Sequence, residues 1–301
     1  MRQLLVNCLS LVDLLFGTEL IRFFQGLLAP EFNHFFRSVT LLGEPSVLLG
    51  LSAVTYWCLD KRRGRVVTYV ILCGAWLNMI LKPLVHSPRP PSQIRIVSRN
   101  DTSYGFPSEH AQGSSSFWAF LSIDMKSLRG LVVGFVVVLG VCVSRVYLGV
   151  HYPIQVIGGV LIGIIIAAFS SALAKRTVLG RMKQLPPILF AVGSLLILAI
   201  SQWMGLRAGG SSMEISGYLF AFSLGTILED KFVGFNTQVS LERKIGRILI
   251  GGLIAGSLII ALRLSLRNLA FVNWAILGLA VVFIVPYVFE KLEQRWSGDL
   301  Q

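Results

Sequence analysis

The sequence predicts an all-α fold: a polytopic bundle of transmembrane helices, with a six-helix core that includes an N-terminal amphipathic helix and about four further C-terminal spans. Three observations predict it. Of 301 residues, 54% are hydrophobic and only 14% charged, and the mean hydropathy is +0.72, well outside the range of soluble domains. Apolar stretches of roughly 17–25 residues, the length that crosses a hydrocarbon layer, recur along the chain. The 27 Lys and Arg, which set a net charge of +12, gather in short clusters between those stretches, as they do in membrane loops. That dispersion argues against a nucleic-acid partner, which needs a continuous basic face.

Residues 3–28 read as one amphipathic helix at the interface, with Asp13, Glu19 and Arg22 on its wet side. Nine apolar stretches follow, near 40–58, 66–85, 108–124, 130–150, 153–173, 187–205, 213–228, 247–265 and 269–289. The third and seventh are the shortest or most polar. Residues 1–175 form the expected core and 187–290 the additional helices. Cys8, Cys58, Cys73 and Cys142 lie in apolar surroundings without paired spacing, which points to packing rather than to a disulfide framework or metal site.

Loop charge sets the orientation. DKRRGR (60–65), DMKSLR (124–129), KRTVLGRMK (175–183), EDK (229–231) with ERKIGR (242–247), and EKLEQR (290–295) alternate with poorly charged loops, so these basic loops are expected on the cytoplasmic side. Against that rule, Lys82, Arg89, Arg95, Arg99 and Arg145 gather with His86, His110 and His151 on the opposite side. Topology alone gives no reason for this, and the pattern points to an anionic ligand. Arg95 and Arg99 read equally as headgroup-steering or solvated residues. Asn100-Asp101-Thr102 is a glycosylation sequon on that side. His34 reads as interfacial and His86 as structural. Glu44 and Glu214 are intramembrane carboxylates that interfacial placement explains.

Three segments carry chemistry: LKPLVHSPRP (81–90), YGFPSEHAQ (104–112) and SRVYLGVHYPIQ (144–155). Phosphoryl recognition needs several fixed cationic donors, which Lys82, Arg89 and Arg145 supply. Ser108 is a good N-cap, and the free backbone N–H groups of the turn it opens favour an oxyanion. His110 on that turn suits proton donation to a leaving oxygen. His151 stands just before Pro153, where a helix begins, and suits attack on phosphorus.

The three segments resemble the type 2 phosphatidic acid phosphatase superfamily, whose pattern is K-x6-R-P, then P-S-G-H, then S-R-x5-H-x3-D. Lys82, Arg89 and Pro90 fill the first motif; Pro107, Ser108 and His110 the second; Ser144, Arg145 and His151 the third. The resemblance implies hydrolysis of a phosphate ester, often lipid-borne, that needs no metal or other cofactor. It casts Lys82, Arg89, Ser108, Glu109 and Arg145 as the phosphate-binding set, His110 as acid and His151 as nucleophile. The partners it implies are a lipid phosphate substrate and membrane lipids. The location it implies is the cell (inner) membrane, with the site on the periplasmic or extracytoplasmic side.

Two positions depart from the pattern. Gln155 stands where the family has an aspartate that orients the nucleophilic imidazole. Its amide oxygen can still accept that hydrogen bond but brings no charge, and it can instead reach back to the backbone N–H near Tyr152 as a helix cap. Glu109 replaces glycine and brings a carboxylate to a phosphate site unless Lys82 or an arginine neutralises it. On this reading Gln155→Asp and Glu109→Gly each raise turnover. The competing reading keeps the pocket for binding or carrying a lipid phosphate, with its chemistry silenced.

Overall fold

The computed structural model describes residues 11–97, 103–175, 185–203, 211–265 and 269–298; Cys8, Arg99 and the Asn100 sequon lie outside them. The described residues are helical and contain no strand. In order the helices are α1 (Leu11–Phe16), α2 (Glu19–Leu28), α3 (Asn33–Thr40), α4 (Pro45–Val54), α5 (Lys61–Val85), α6 (Glu109–Met125), α7 (Leu128–Tyr147), α8 (Pro153–Lys175), α9 (Leu185–Trp203), α10 (Ser211–Phe232), α11 (Leu241–Ser265), α12 (Ala270–Leu279) and α13 (Val285–Gly298).

Six helices among the described residues are long and apolar enough to span a membrane, and a bent pair, 33–43 with 45–59, makes a seventh. That is fewer than the nine expected. The stretches near 108–124 and 213–228 are helices, but α6 has 17 residues and a serine-rich, polar first half, while α10 carries Glu214, Glu229, Asp230 and Lys231. The N-terminal piece also differs from the single helix expected. It breaks at Gly17, where a side chain would strike the Asp13 carbonyl and the Glu19 carboxylate. Ile21 on α2 is fully buried, in one cluster with Ala111, Val146 and Val156.

The chain divides into two compact units, residues 1–49 with 73–172, and residues 50–72 with 173–301. In the first unit α6 lies at the centre. Gly159 and Gly163 on α8, four residues apart, let it approach closely: a side chain at Gly159 would meet the Ser108 carbonyl, and one at Gly163 the Ser115 hydroxyl and Gln112 carbonyl. This small-residue spacing is a recurrent device for close helix contact in membranes. On the other flank Asn78 Nδ2 donates to Gln112 Oε1 (2.8 Å) and to the Pro107 carbonyl (3.1 Å), and Gln112 Nε2 to the Gly74 carbonyl (2.7 Å). Buried amides left unpaired cost about 1–3 kcal/mol each, so this network fixes the register of α5 against α6.

The second unit holds a buried ionic cluster. The Glu229 side chain is fully buried and accepts from Lys61 Nζ (2.7 Å), Arg65 Nη2 (2.5 Å), the Tyr56 hydroxyl (3.2 Å) and the Phe235 backbone N–H (3.1 Å). Arg247, 2% exposed, pairs with Glu293, donates to the Trp57 and Asn236 carbonyls, and lies over the Phe235 and Phe289 rings. Removing one partner of such a buried set strands the other charges. Glu229→Ala is therefore expected to cost about 3–5 kcal/mol, read as a fall in the midpoint of thermal unfolding in detergent.

Candidate active site

The end of α5, the start of α6, the end of α7 and the start of α8 supply the three sequence segments, all from the first unit. Helix α5 stops at Val85 because His86 takes the left-handed backbone conformation (φ 53°) and packs its ring edge-on against Tyr104 at 4.7 Å. His86 thus holds a structural position, and the chain beyond it carries Arg89. Helix α7 ends in a Schellman turn: the Gly149 N–H donates to the Val146 carbonyl and the Val150 N–H to the Arg145 carbonyl. Gly149 has φ +69°, and a side chain there would strike the Ile94 carbonyl, so glycine is required. This turn sets Arg145 and His151 six positions apart on one tight bend. The Ser108 N–H then donates to the Gln155 carbonyl (3.0 Å), tying the second motif to the third.

The predicted residues come together. Arg89 donates from Nε and Nη2 to the Ser103 carbonyl and hydroxyl and from Nη1 to the Val150 carbonyl, and its Nη1 lies 3.2 Å from His151 Nε2. Arg145, 5% exposed, donates from Nη1 to Thr40 Oγ1 at 3.0 Å. Lys82 Nζ lies 3.7 Å from Glu109 Oε2. Ser108 is fully buried, and its hydroxyl has no hydrogen-bond partner among the described residues. Ser144 turns its hydroxyl back to the Val141 carbonyl (2.6 Å). Arg95 lies apart from the pocket, with its guanidinium on the Pro90 carbonyl.

The hydrogen bonds assign the tautomer of His151. Gln155 lies between groups of fixed polarity: the Pro88 carbonyl only accepts and the Tyr152 N–H only donates. Nε2 therefore faces Pro88 (2.7 Å) and Ser87 Oγ (2.8 Å), and Oε1 faces Tyr152 N–H (3.1 Å) and His151 Nδ1 (3.1 Å). Facing an acceptor, Nδ1 carries the proton, so the lone pair is on Nε2 beside the arginine. Both sequence readings of Gln155 hold at once, the helix cap and the imidazole partner. His151 is 2% exposed. Burial, then the fields of Arg145, Arg89 and Lys82, push its pKa well below the usual histidine value, outweighing the hydrogen bond to Gln155.

Two contributors lie outside the motifs. Gly105 has no side chain because the Gln155 amide fills that space: a Cβ would sit 2.3–2.6 Å from it. Glu44, at the bend between α3 and α4, brings Oε2 to 2.9 Å from His110 Nε2. The sequence signal for it is GEP at 43–45, a carboxylate beside proline inside an apolar span.

Among known proteins, sphingosine-1-phosphate phosphatase 2 of Mus musculus is 26% identical over 147 residues, 46% of this chain and 42% of that protein. Glucose-6-phosphatase catalytic subunit 1 of Haplochromis nubilus is 32% identical over 130 residues, 33% of this chain and 37% of that protein. The chain thus spans less than half the length of these relatives. The crystal structure of a transmembrane PAP2-type phosphatidylglycerolphosphate phosphatase from Bacillus subtilis aligns with a TM-score of 0.47 at 22% identity, over 53% of this chain and 84% of that one. The PAP2 superfamily model matches residues 64–178 and the model for the transmembrane extension of PAP2 superfamily phosphatases matches residues 213–296; with two thirds of its length accounted for in this way, the chain belongs to the PAP2 superfamily.

Proposed function

We propose that this protein is a membrane phosphatase that hydrolyses the phosphate ester of an amphiphilic lipid through a phosphohistidine on His151, at the extracytoplasmic face and without a metal. The observation that carries the reading is the unprotonated Nε2 of a buried histidine, 3.2 Å from Arg89 and within the fields of Arg145 and Lys82. In the first step Nε2 attacks phosphorus, the P–O bond to the alcohol breaks, and a proton from His110 goes to the departing oxygen. In the second, water attacks phosphorus, its proton returns to His110, and the P–N bond breaks to release phosphate. The three cationic side chains and the unpaired Ser108 hydroxyl supply the charge and hydrogen bonds a phosphoryl group needs.

Both departures from the family pattern have local partners, which weighs against a silenced pocket. Glu109 has Lys82 beside it, and Gln155 Oε1 accepts a hydrogen bond from His151 Nδ1. A lipid is favoured over a sugar phosphate by an apolar cavity of about 300 Å³ between α6, α7 and α8, lined by Ser115, Trp118, Phe135, Leu139, Cys142 and Val160 among others. At about 1.5 Å per residue, Ser115 lies roughly 7 Å along α6 from His110, and Cys142 roughly 5 Å along α7 from Arg145. The test presents purified protein in excess chelator with long-chain lipid phosphates and with glucose 6-phosphate. Faster phosphate release from the lipids is expected. No release from any lipid phosphate, with lipid still bound, rejects the enzyme reading in favour of a carrier.

A further inference from the structure

Glu44 lies outside every sequence motif of the site and outside residues 64–178. The span that carries it is broken: residues 33–43 and 45–59 are bent by 57° about Glu44. At the break Gly43 presses on α6 and α7, where a Cβ would meet His110 Cβ at 3.0 Å and Val141 Cγ1 at 2.8 Å. One turn earlier Thr40 accepts from Arg145 (3.0 Å), and Glu44 itself reaches His110 (2.9 Å). The break thus delivers one side chain to a phosphate-clamping arginine and another to the proton donor. An ionised carboxylate on one imidazole nitrogen orients the ring and stabilises the imidazolium, as in a carboxylate–histidine pair.

We propose that Glu44 is the positioning residue for His110, holding it as an imidazolium through Nε2–H so that the proton on its other nitrogen is presented to the departing oxygen. The inference rests on the phosphatase reading above. In the first step the Nδ1 proton passes to the alkoxide as the P–O bond breaks, leaving neutral His110 with Nε2–H on Glu44; in the second Nδ1 takes the proton of the attacking water. Burial and the field of Arg145 from α7 lower the His110 pKa; the hydrogen bond and charge of Glu44 from the bend and the charge of Glu109 from α6 itself oppose them. Of the two carboxylates, Glu44 is the one in direct contact.

The test is Glu44→Gln in the full-length protein, with two esters compared. General acid catalysis matters where the leaving group is an alkoxide and little where it is a stable phenolate. Turnover on a long-chain alkyl phosphate is expected to fall about 10²-fold with KM little changed, and turnover on p-nitrophenyl phosphate less than about threefold. The alkaline limb of kcat on the alkyl ester is expected to move to lower pH. Glu44→Asp, which keeps the charge, recovers part of the alkyl loss and carries the same comparison if the glutamine variant does not fold. Equal losses on both esters with an unchanged pH profile overturn the proposal. Wild-type protein inert on both esters rejects the phosphatase reading instead. The pairing is then decided by ¹⁵N-histidine NMR titration: a lower protonation midpoint for His110 in Glu44→Gln supports it, and an identical midpoint overturns it.

Discussion

His151→Ala is expected to reduce phosphate release by about 10⁴-fold or more, to the level left by binding and charge stabilisation alone. On the proposed mechanism, deleting the imidazole removes the atom that bonds phosphorus, and the neighbours that touch it do not replace it: Arg89 is cationic, and Gln155 is turned with its oxygen to Tyr152 and its nitrogen to Pro88. Protein folding and lipid phosphate binding should survive, because Arg89 keeps its bonds to Ser103 and Val150. The wild-type pH profile checks the same assignment without a mutation. With its folded pKa depressed by burial and by three cations, His151 stays neutral, and competent to attack, below the usual histidine range. The acid limb of kcat/KM, after division by the substrate's own second ionisation near about pH 6, should therefore fall well under about pH 6.5. The linkage has the matching sign. A depressed histidine pKa leaves stability intact above about pH 6.5 and removes it as pH drops toward the folded value. An acid limb at or above about pH 6.5 contradicts the electrostatics described for this pocket. Phosphate release persisting in His151→Ala contradicts the nucleophile.

The helical membrane fold was legible because it rests on residue averages: hydropathy and span length do not depend on which helix touches which. Lys82, Arg89, Ser108, His110, Arg145 and His151 were legible because motif spacing encodes them. Residues whose role depends on a fold-back were not. Glu44 is sixty-six positions from His110, and nothing in GEP says where the bend points. Gly105 looks like an ordinary loop glycine until the Gln155 amide is found in the space of its missing side chain. The Gly159–Gly163 spacing was visible but silent, since many apolar helices carry such pairs facing lipid. The count of spans exceeded what the helices support for a related reason. The window at 108–124 is interrupted by Gln112 and Ser114, and the one at 213–228 is followed at once by Glu229 and Asp230; the side chains of these residues are answered inside the protein rather than by lipid. On α5, Asn78 donates to the Gln112 amide oxygen and the Gly74 carbonyl accepts from its nitrogen, while Lys61 and Arg65 donate to the α10 carboxylates.

Gln155→Asp, a change toward the family pattern, is expected to lower turnover by about 10–10²-fold rather than raise it, a reversal of the sequence-based expectation. An aspartate can accept from His151 Nδ1 but cannot donate, so the Pro88 carbonyl and the half-buried Ser87 hydroxyl lose their donor, at about 0.5–1.5 kcal/mol for each hydrogen bond lost. It is also one methylene shorter, and the space between His151, Pro88 and Gly105 is shaped to the longer amide. Strain in the 87–88 segment reaches Arg89 directly, since that residue follows Pro88 and supports Nε2. The space can be returned from the other side. Gly105→Ala alone should be severely damaging, because its Cβ would fall 2.3 Å from Gln155 Nε2. In the Gln155→Asp background the shorter side chain withdraws, and the added methyl fills the void. The double variant should consequently be more active than the product of the two single effects, with a coupling of about 1 kcal/mol or more, as residues in contact show. Additive losses would mean that Gly105 and Gln155 do not share this volume. An increase in turnover for Gln155→Asp alone would mean that negative charge on the imidazole outweighs the hydrogen bonds to Pro88 and Ser87, and that the amide limits this active site rather than completing it.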